Sequence, residues 1–282
     1  MTNQFYHGKR ALIATMHGKQ QAIGPVLQDE LGIKVFTLDD FDTDRWGTFS
    51  SEVERKSDPL ATARQKCLHG LEQGSVDLAV ASEGSFGPHP FIPFIAADEE
   101  ILVFIDRKND IEIVAKELSP KTNYSEATVT SIDDLLAFAE TALFPSHALI
   151  LRPSPDSPEN MTKGIHDKET LIKTASQLLS EYQQLHVQTD MRAHMNPTRM
   201  QVITRAAQKL VQRIKSVCPA CGIPGFGPTE FHKGLPCAQC HFPTKSVQRI
   251  INSCLKCSYH DSVEFPNGKR HEDPMYCDNC NP

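Results

Sequence analysis

The sequence predicts an α/β protein: a mixed sheet with flanking helices, followed by a small C-terminal double zinc-ribbon lobe. Three observations carry this. Short β-branched runs alternate with amphipathic helical stretches through the first half of the chain, the pattern of an α/β sheet. The runs 100–106 and 111–118 are joined by Arg107–Asp110 as a tight hairpin, which introduces antiparallel pairing and makes the sheet mixed. Eight of the nine cysteines fall in four Cys-x-x-Cys pairs after Val217.

The elements follow in order. Residues 11–15 form a short apolar strand ending in a polar loop, and a helix follows over 20–31 with Ile23, Val26, Leu27 and Leu31 on one face. A second strand covers 34–38. The stretch 58–73 is a helix with Asp58 as N-cap and Pro59 in its first turn. Strands are predicted at 76–82, 100–106 and 111–118, each short, β-branched and bounded by breakers. Ser131 caps a helix over 131–143, with acids in its first turn, and 147–153 is a further strand. The proline-rich run 153–162 is a loop or boundary. Two helices come next, one with Leu171, Ala175, Leu178, Tyr182 and Leu185 at helical spacing. The other is capped by Asn196 with Pro197 at its first position, and Met200, Ile203, Ala207, Leu210 and Ile214 form its stripe. The expected organisation is an α/β domain over 1–153, a helical segment over 154–216 and a Cys-rich zinc-binding domain over 217–282.

Composition narrows the function. Hydrophobic residues make up 39% and charged residues 23%, enough for an ordinary globular core. A net charge of −6 argues against a general binder of nucleic acid or of membrane surfaces. No apolar run approaches a membrane span, and the apolar stretch near the start is too short for a signal-peptide core. The expectation is a cytoplasmic protein, in whose reducing surroundings paired thiols mean metal more often than disulfide.

The pairs are Cys218/Cys221, Cys237/Cys240, Cys254/Cys257 and Cys277/Cys280, with 15 residues between the first two pairs and 19 between the last two. Two thiolates on a tight turn reach one ion at about 2.3 Å, and a second turn completes the tetrahedron. Pro219 and Gly222 favour such a turn. Four thiolates leave no open coordination position, so the expected cofactors are two structural zinc ions, which also supply folding energy that a small tail lacks. Consecutive pairs sharing one ion are preferred to an interleaved arrangement. His232, His241, His260 and His271 are alternative ligands made unnecessary by four complete pairs, and Cys67 is a buried small hydrophobe inside a helix. From Val211 onward eight Lys/Arg face six Asp/Glu, and each tetrathiolate zinc site adds a formal −2. Contact with nucleic acid or protein, for instance through Lys245–Arg249, is therefore open but not required.

In the first domain, Thr15, His17, Gly18 and Lys19 lie between a strand and a helix, where amide dipoles and an ammonium can hold phosphate. Ala81–His89 follows a strand, which puts its side chains at the ligand edge of the sheet. There Glu83 suits a divalent cation, Mg²⁺, and His89 suits a general acid or base. Asp98, Glu99 and Asp106 offer further carboxylates. Asp190, Arg192, His194 and Arg199 crowd a helix entry, a setting for an anion. Lys163–Asp167 offers the same, unless Asp167 is only a cap.

The order of Ala11–Lys19, Thr48-Phe49, Asp58–Lys66, Asp77–Gly87 and Glu100–Asp106 resembles the inosine/xanthosine triphosphatase family over at most residues 10–118. That resemblance implies Thr15 and Lys19 at phosphates, Arg64 and Lys66 near substrate and Glu83 at Mg²⁺, hence a Mg-dependent nucleoside triphosphate hydrolase. His17 stands where that family has asparagine. The whole chain is more similar to a bacterial family of unknown function, through Thr189–Met200, Cys218–Cys221 with Pro224-Gly225-Phe226, and the later cysteine pairs. Three readings result: an enzyme in which Glu83, His89 and Lys19 are catalytic, a ligand-sensing protein whose zinc tail docks to protein or nucleic acid, or a protein whose zincs only brace the helix ending near 217.

Overall fold

The computed structural model describes residues 5–39, 41, 58–155, 157 and 159–282; Thr48 and Phe49 lie outside them. The chain divides into two compact units, Met1–Val211 and Gln212–Pro282.

In the first unit, β1 (Arg10–Ala14), β2 (Lys34–Phe36), β3 (Leu78–Pro88), β4 (Ala96–Asp106) and β5 (Ile111–Ser119) form one sheet in the order β2-β1-β3-β4-β5. β2, β1 and β3 run parallel, whereas β3, β4 and β5 are successive antiparallel neighbours. The sheet is mixed, as expected. Parallel neighbours need crossovers, and α1 (Gln20–Leu31) and α2 (Pro59–Gln73) lie in them. Asp58 caps α2 by accepting from the N–H groups of Leu60 (2.9 Å) and Ala61 (3.0 Å), an arrangement worth about 1 kcal/mol. Ala63, Cys67 and Leu71 of α2 pack on Leu12, Ala14, Ala79, Ala81, Val103 and Ile105. Gly70 permits this approach, since a Cβ there would lie 2.6 Å from Leu12 Cδ2. The Cys67 thiol donates to the Val103 carbonyl at 3.4 Å, and burial pushes its pKa up.

β3 and β4 extend further than expected. Ser82–Pro88 is not a loop at the sheet edge but part of the ladder: Ser82 lies opposite Leu102, Gly84 opposite Glu100 and Phe86 opposite Asp98. The glycines that suggested a turn sit in regular strand. The connection is His89–Ile95, closed by the His89 N–H to the Ile95 carbonyl at 2.8 Å.

A second sheet in this unit goes beyond the sequence reading. β6 (Glu126–Val129), β7 (Leu149–Arg152), β8 (Thr162–Ile165) and β9 (Leu185–Thr189) pair antiparallel in the order β6-β9-β7-β8. α3 (Ile132–Thr141) and α4 (Lys168–Tyr182) share a core with it, built from Val129, Leu135, Leu149, Leu151, Leu171 and Val187, among others. Gln183 ends α4 in a left-handed conformation (φ 62°), so Leu185 opens a strand instead of extending the helix. The stretch 154–216 thus holds two strands besides α4 and α5 (Pro197–Lys215). Ser131 and Asp167 cap α3 and α4, accepting from the Asp134 (3.1 Å) and Thr170 (2.8 Å) N–H groups. Asn196 caps α5 through the Arg199 N–H at 2.9 Å.

In the second unit, β10 (Gly227–Lys233), β11 (Val247–Ser253) and β12 (His260–Glu264) form an antiparallel meander. Its buried apolar side chains among the described residues are Ile214, Pro224, Phe226 and Leu235, besides Cys218, Cys237 and Cys277. Burial on that scale stabilises a lobe weakly without metal. No helix among the described residues is long and apolar enough to cross a membrane.

Candidate functional site

The cysteines converge as two sets of four, but not in the expected pairing. Cys218 and Cys221 meet Cys254 and Cys257, while Cys237 and Cys240 meet Cys277 and Cys280. The arrangement is interleaved, and the preference for consecutive pairs is corrected. The meander explains why: β11 lies between β10 and β12, and it separates the second cysteine pair from the third, so neighbours in sequence are not neighbours in space. Sγ–Sγ separations are 3.7 Å (Cys218–Cys257), 3.5 Å (Cys221–Cys254), 3.8 Å (Cys237–Cys280) and 3.6 Å (Cys240–Cys277). A tetrahedron with metal–sulfur bonds of about 2.3 Å has edges of about 3.8 Å, so the two tetracysteine groups fit zinc. They are too far apart for disulfides, whose sulfurs lie about 2.05 Å apart.

Local backbone builds these knuckles. Gly222 and His241, each following a Cys-x-x-Cys pair, adopt left-handed φ values of 72° and 57°. The Gly222 N–H donates to the Cys218 carbonyl at 2.8 Å and that of His241 to the Cys237 carbonyl at 3.0 Å. Backbone N–H groups point at sulfur: Gln239 at Cys237 (3.4 Å) and Lys256 at Cys254 (3.3 Å). None of the four tail histidines belongs to either set. Lys245 pairs with Asp278 at 2.9 Å and Arg249 with Glu264 at 3.8 Å, so both cations of that patch face acids.

In the first unit a cavity of about 540 Å³ opens at the carboxyl ends of β1 and β2, lined by Thr15, Met16, His17, Gly18, Gln20, Thr37, Leu38, Asp39 and Phe41. The β1–α1 loop turns through two left-handed residues, His17 (φ 61°) and Gly18 (φ 75°). The His194 ring lies nearly parallel to that of His17, with centroids 5.3 Å apart. Among the described residues, no side chain caps the amino end of α1.

Lys19 faces elsewhere. It is buried, and its ammonium donates to the Ser82 carbonyl at 3.0 Å. Burial lowers its pKa to about 8 against the opposing pull of Glu100 and Glu83. It belongs to an interior charge cluster that also includes Lys66, Glu83, Asp98, Glu100 and Arg199, all less than a tenth exposed. The Lys66 ammonium pairs with the Glu83 carboxylate. Arg199 donates through Nε to Glu100 at 2.6 Å and through Nη1 to the Met191 carbonyl, and its guanidinium lies 5.0 Å from the Phe86 ring centroid. Both Asp98 oxygens are buried, with no hydrogen-bond partner among the described residues. Burial, then the Glu100 charge, raises the Asp98 pKa to about 8.

The remaining predicted residues disperse. Asp190 holds Arg192 at 2.6 Å and accepts the Gly164 N–H at 3.1 Å, fixing the loop before α5. Arg64 pairs with Glu112 at 2.6 Å on a half-exposed surface. His89 sits in the β3–β4 connection, where its Nδ1 accepts the Phe91 N–H at 3.2 Å. The expected Mg²⁺ at Glu83 finds no ligand set: apart from the two cysteine sets, no three His, Cys, Asp or Glu groups among the described residues lie close enough to share an ion. Sequence reasoning missed Asp39, Thr37, Leu38 and Phe41 at the cavity and Glu100 in the cluster. The signal for Asp39 was its place just past a strand parallel to the first.

A family model described as a domain of unknown function, DUF6671, matches residues 66–282. No curated protein matches the chain. The matched stretch includes Thr189–Met200 and every tail cysteine, whereas the cavity-lining residues precede it. Nothing in these comparisons bears on the likeness to inosine/xanthosine triphosphatases.

Proposed function

Since the chain belongs to the DUF6671 family, a domain of unknown function, we propose its activity from geometry: it is a zinc-braced binding protein whose α/β unit takes a phosphorylated small molecule in the cavity over β1 and β2. The observation that carries this reading is the cavity itself, lined by Gly18 and Gln20 at the amino end of α1, where the Gln21 and Ala22 N–H groups donate to the Gly18 and Lys19 carbonyls at 3.0 Å. Helix N–H dipoles attract anions, and a residue without a side chain lets a phosphate reach the backbone. Lys19 contributes nothing to this, being committed to Ser82.

Binding without turnover is the reading favoured here. Glu83 is neutralised by Lys66, and His89 belongs to a different part of the sheet edge. The Mg-dependent hydrolysis implied by resemblance would need Glu83 at Mg²⁺ and Lys19 at the phosphate, whereas Lys19 donates to the Ser82 carbonyl. The tetrathiolate sites complete the zinc coordination shell and act as structural centres.

Calorimetry and thermal unfolding of the zinc-loaded full chain with pyrophosphate, with and without Mg²⁺, test the proposal. Pyrophosphate is expected to bind and to raise the unfolding temperature. Gly18→Val should remove both effects, because Gly18 holds a left-handed φ and a Cβ there would already lie 3.3 Å from His194 Cβ. Absence of binding by the wild type would overturn it.

A further inference from the structure

We infer that the molecule held in this cavity is a ribonucleotide, with the Asp39 carboxylate accepting the hydroxyls of the ribose. The inference rests on the cavity being the ligand site proposed above and adds the class of ligand.

The lining has three chemistries. One end is the β1–α1 loop, Thr15 to Gly18, beside the amino end of α1. A second part is Asp39, the one carboxylate in the lining among the described residues, carried just beyond β2. The third is the apolar surface of Met16, Leu38 and Phe41. β1 and β2 are parallel neighbours, with Ala11 opposite Val35 and Leu12 opposite Phe36. Their following loops therefore open on the same edge of the sheet and face one space.

An ionised carboxylate offers acceptors and no donor. It repels a phosphate and selects a part of the ligand rich in O–H groups. A vicinal diol presents two such donors to the two oxygens of one carboxylate, in charge-assisted hydrogen bonds. An acid at the end of the second strand, beyond a first strand whose loop opens at a helix amino end, is the position from which α/β sheets hold a ribose. The apolar side chains then provide a surface for the flat face of a base. A volume of about 540 Å³ falls within the range of roughly 300–1,000 Å³ usual for small-molecule sites.

The test is calorimetric titration of the zinc-loaded full chain with AMP, GMP, CMP and UMP, with their 2′-deoxy counterparts, and with pyrophosphate. Loss of a hydrogen bond to a charged group weakens binding by roughly ten- to a hundredfold. At least one ribonucleotide is expected to bind more tightly than its 2′-deoxy form by about that factor. In Asp39→Asn, which keeps the side-chain size, this ratio should fall towards one. If the wild type binds pyrophosphate but treats ribo and deoxy forms alike, the ribonucleotide assignment is overturned while the phosphate reading stands. If it binds neither pyrophosphate nor any nucleotide, both are overturned.

Discussion

Replacing Gly84 by alanine tests whether the interior charge cluster is a rigid part of the fold. A Cβ at this position would lie 2.4 Å from Glu100 Oε1 and 2.6 Å from Arg199 Nη2, well inside contact distance. Both atoms end flexible side chains, but neither side chain can swing away. Glu100 and Arg199 are 0% and 1% exposed and are hydrogen-bonded to each other at 2.6 Å. Inserting a methyl into such packing costs about 1–3 kcal/mol, and separating a buried pair costs about 3–5 kcal/mol. Gly84→Ala should therefore destabilise by about 2–5 kcal/mol. A Cβ on Gly87, in the same strand, would have nothing within 4 Å, so Gly87→Ala should fall within about 0.5 kcal/mol of wild type. Urea unfolding of the zinc-loaded protein gives the values, and hydrogen exchange at the β3–β4 amides locates the effect. Equal stability of the two variants would refute the claim that the pair is held in place.

Three further outcomes are expected. Asp98 has a pKa raised to about 8 in the fold, against about 3.9 when unfolded, so the native state binds the extra proton between these values. Wild-type stability should then fall relative to Asp98→Asn as pH rises from about 5 to about 8, by up to about 1.4 kcal/mol per unit; a difference that does not vary with pH in denaturant titrations would contradict this. Elemental analysis should return two zinc ions per chain, one for each cysteine set, and Cys218→Ser should lower occupancy at both sites because each site closes a loop containing a knuckle of the other; clean retention of one full equivalent would argue for independent sites. Arg64→Ala should cost less than about 1 kcal/mol and leave pyrophosphate affinity unchanged, since this half-exposed pair with Glu112 belongs to no site; a weakened titration would return Arg64 to the ligand.

The features legible in the sequence were those fixed by local chemistry. Asp58, Ser131 and Asn196 cap helices because a short acceptor beside a helix start needs only neighbouring N–H groups. The converging cysteines were legible for the same reason, as each knuckle is a four-residue unit. Their pairing was not, since spacings of 15 and 19 residues suit either connectivity and strand order decides between them. β6 and β8 escaped notice because four residues with few apolar positions give no periodicity. Asp98 read as a further carboxylate near the ligand edge and Glu100 as the start of a strand; neither reading contains their burial beside Arg199, which meets Glu100 across 99 positions. The glycine-rich run after Ala81 suggested a substrate loop for a related reason: Gly84 is small to admit a distant guanidinium, not a ligand.

The interleaved cysteines also set a timetable for metal capture during synthesis. The first zinc site needs Cys254 and Cys257 after Cys218 and Cys221, and by then Cys237 and Cys240 have already emerged and await Cys277 and Cys280. A nascent chain thus exposes six tail thiols before the second site is complete, and the wrong quartet is transiently available. Translation halted before Cys277 would leave a half-loaded lobe exposed to oxidation and to proteases.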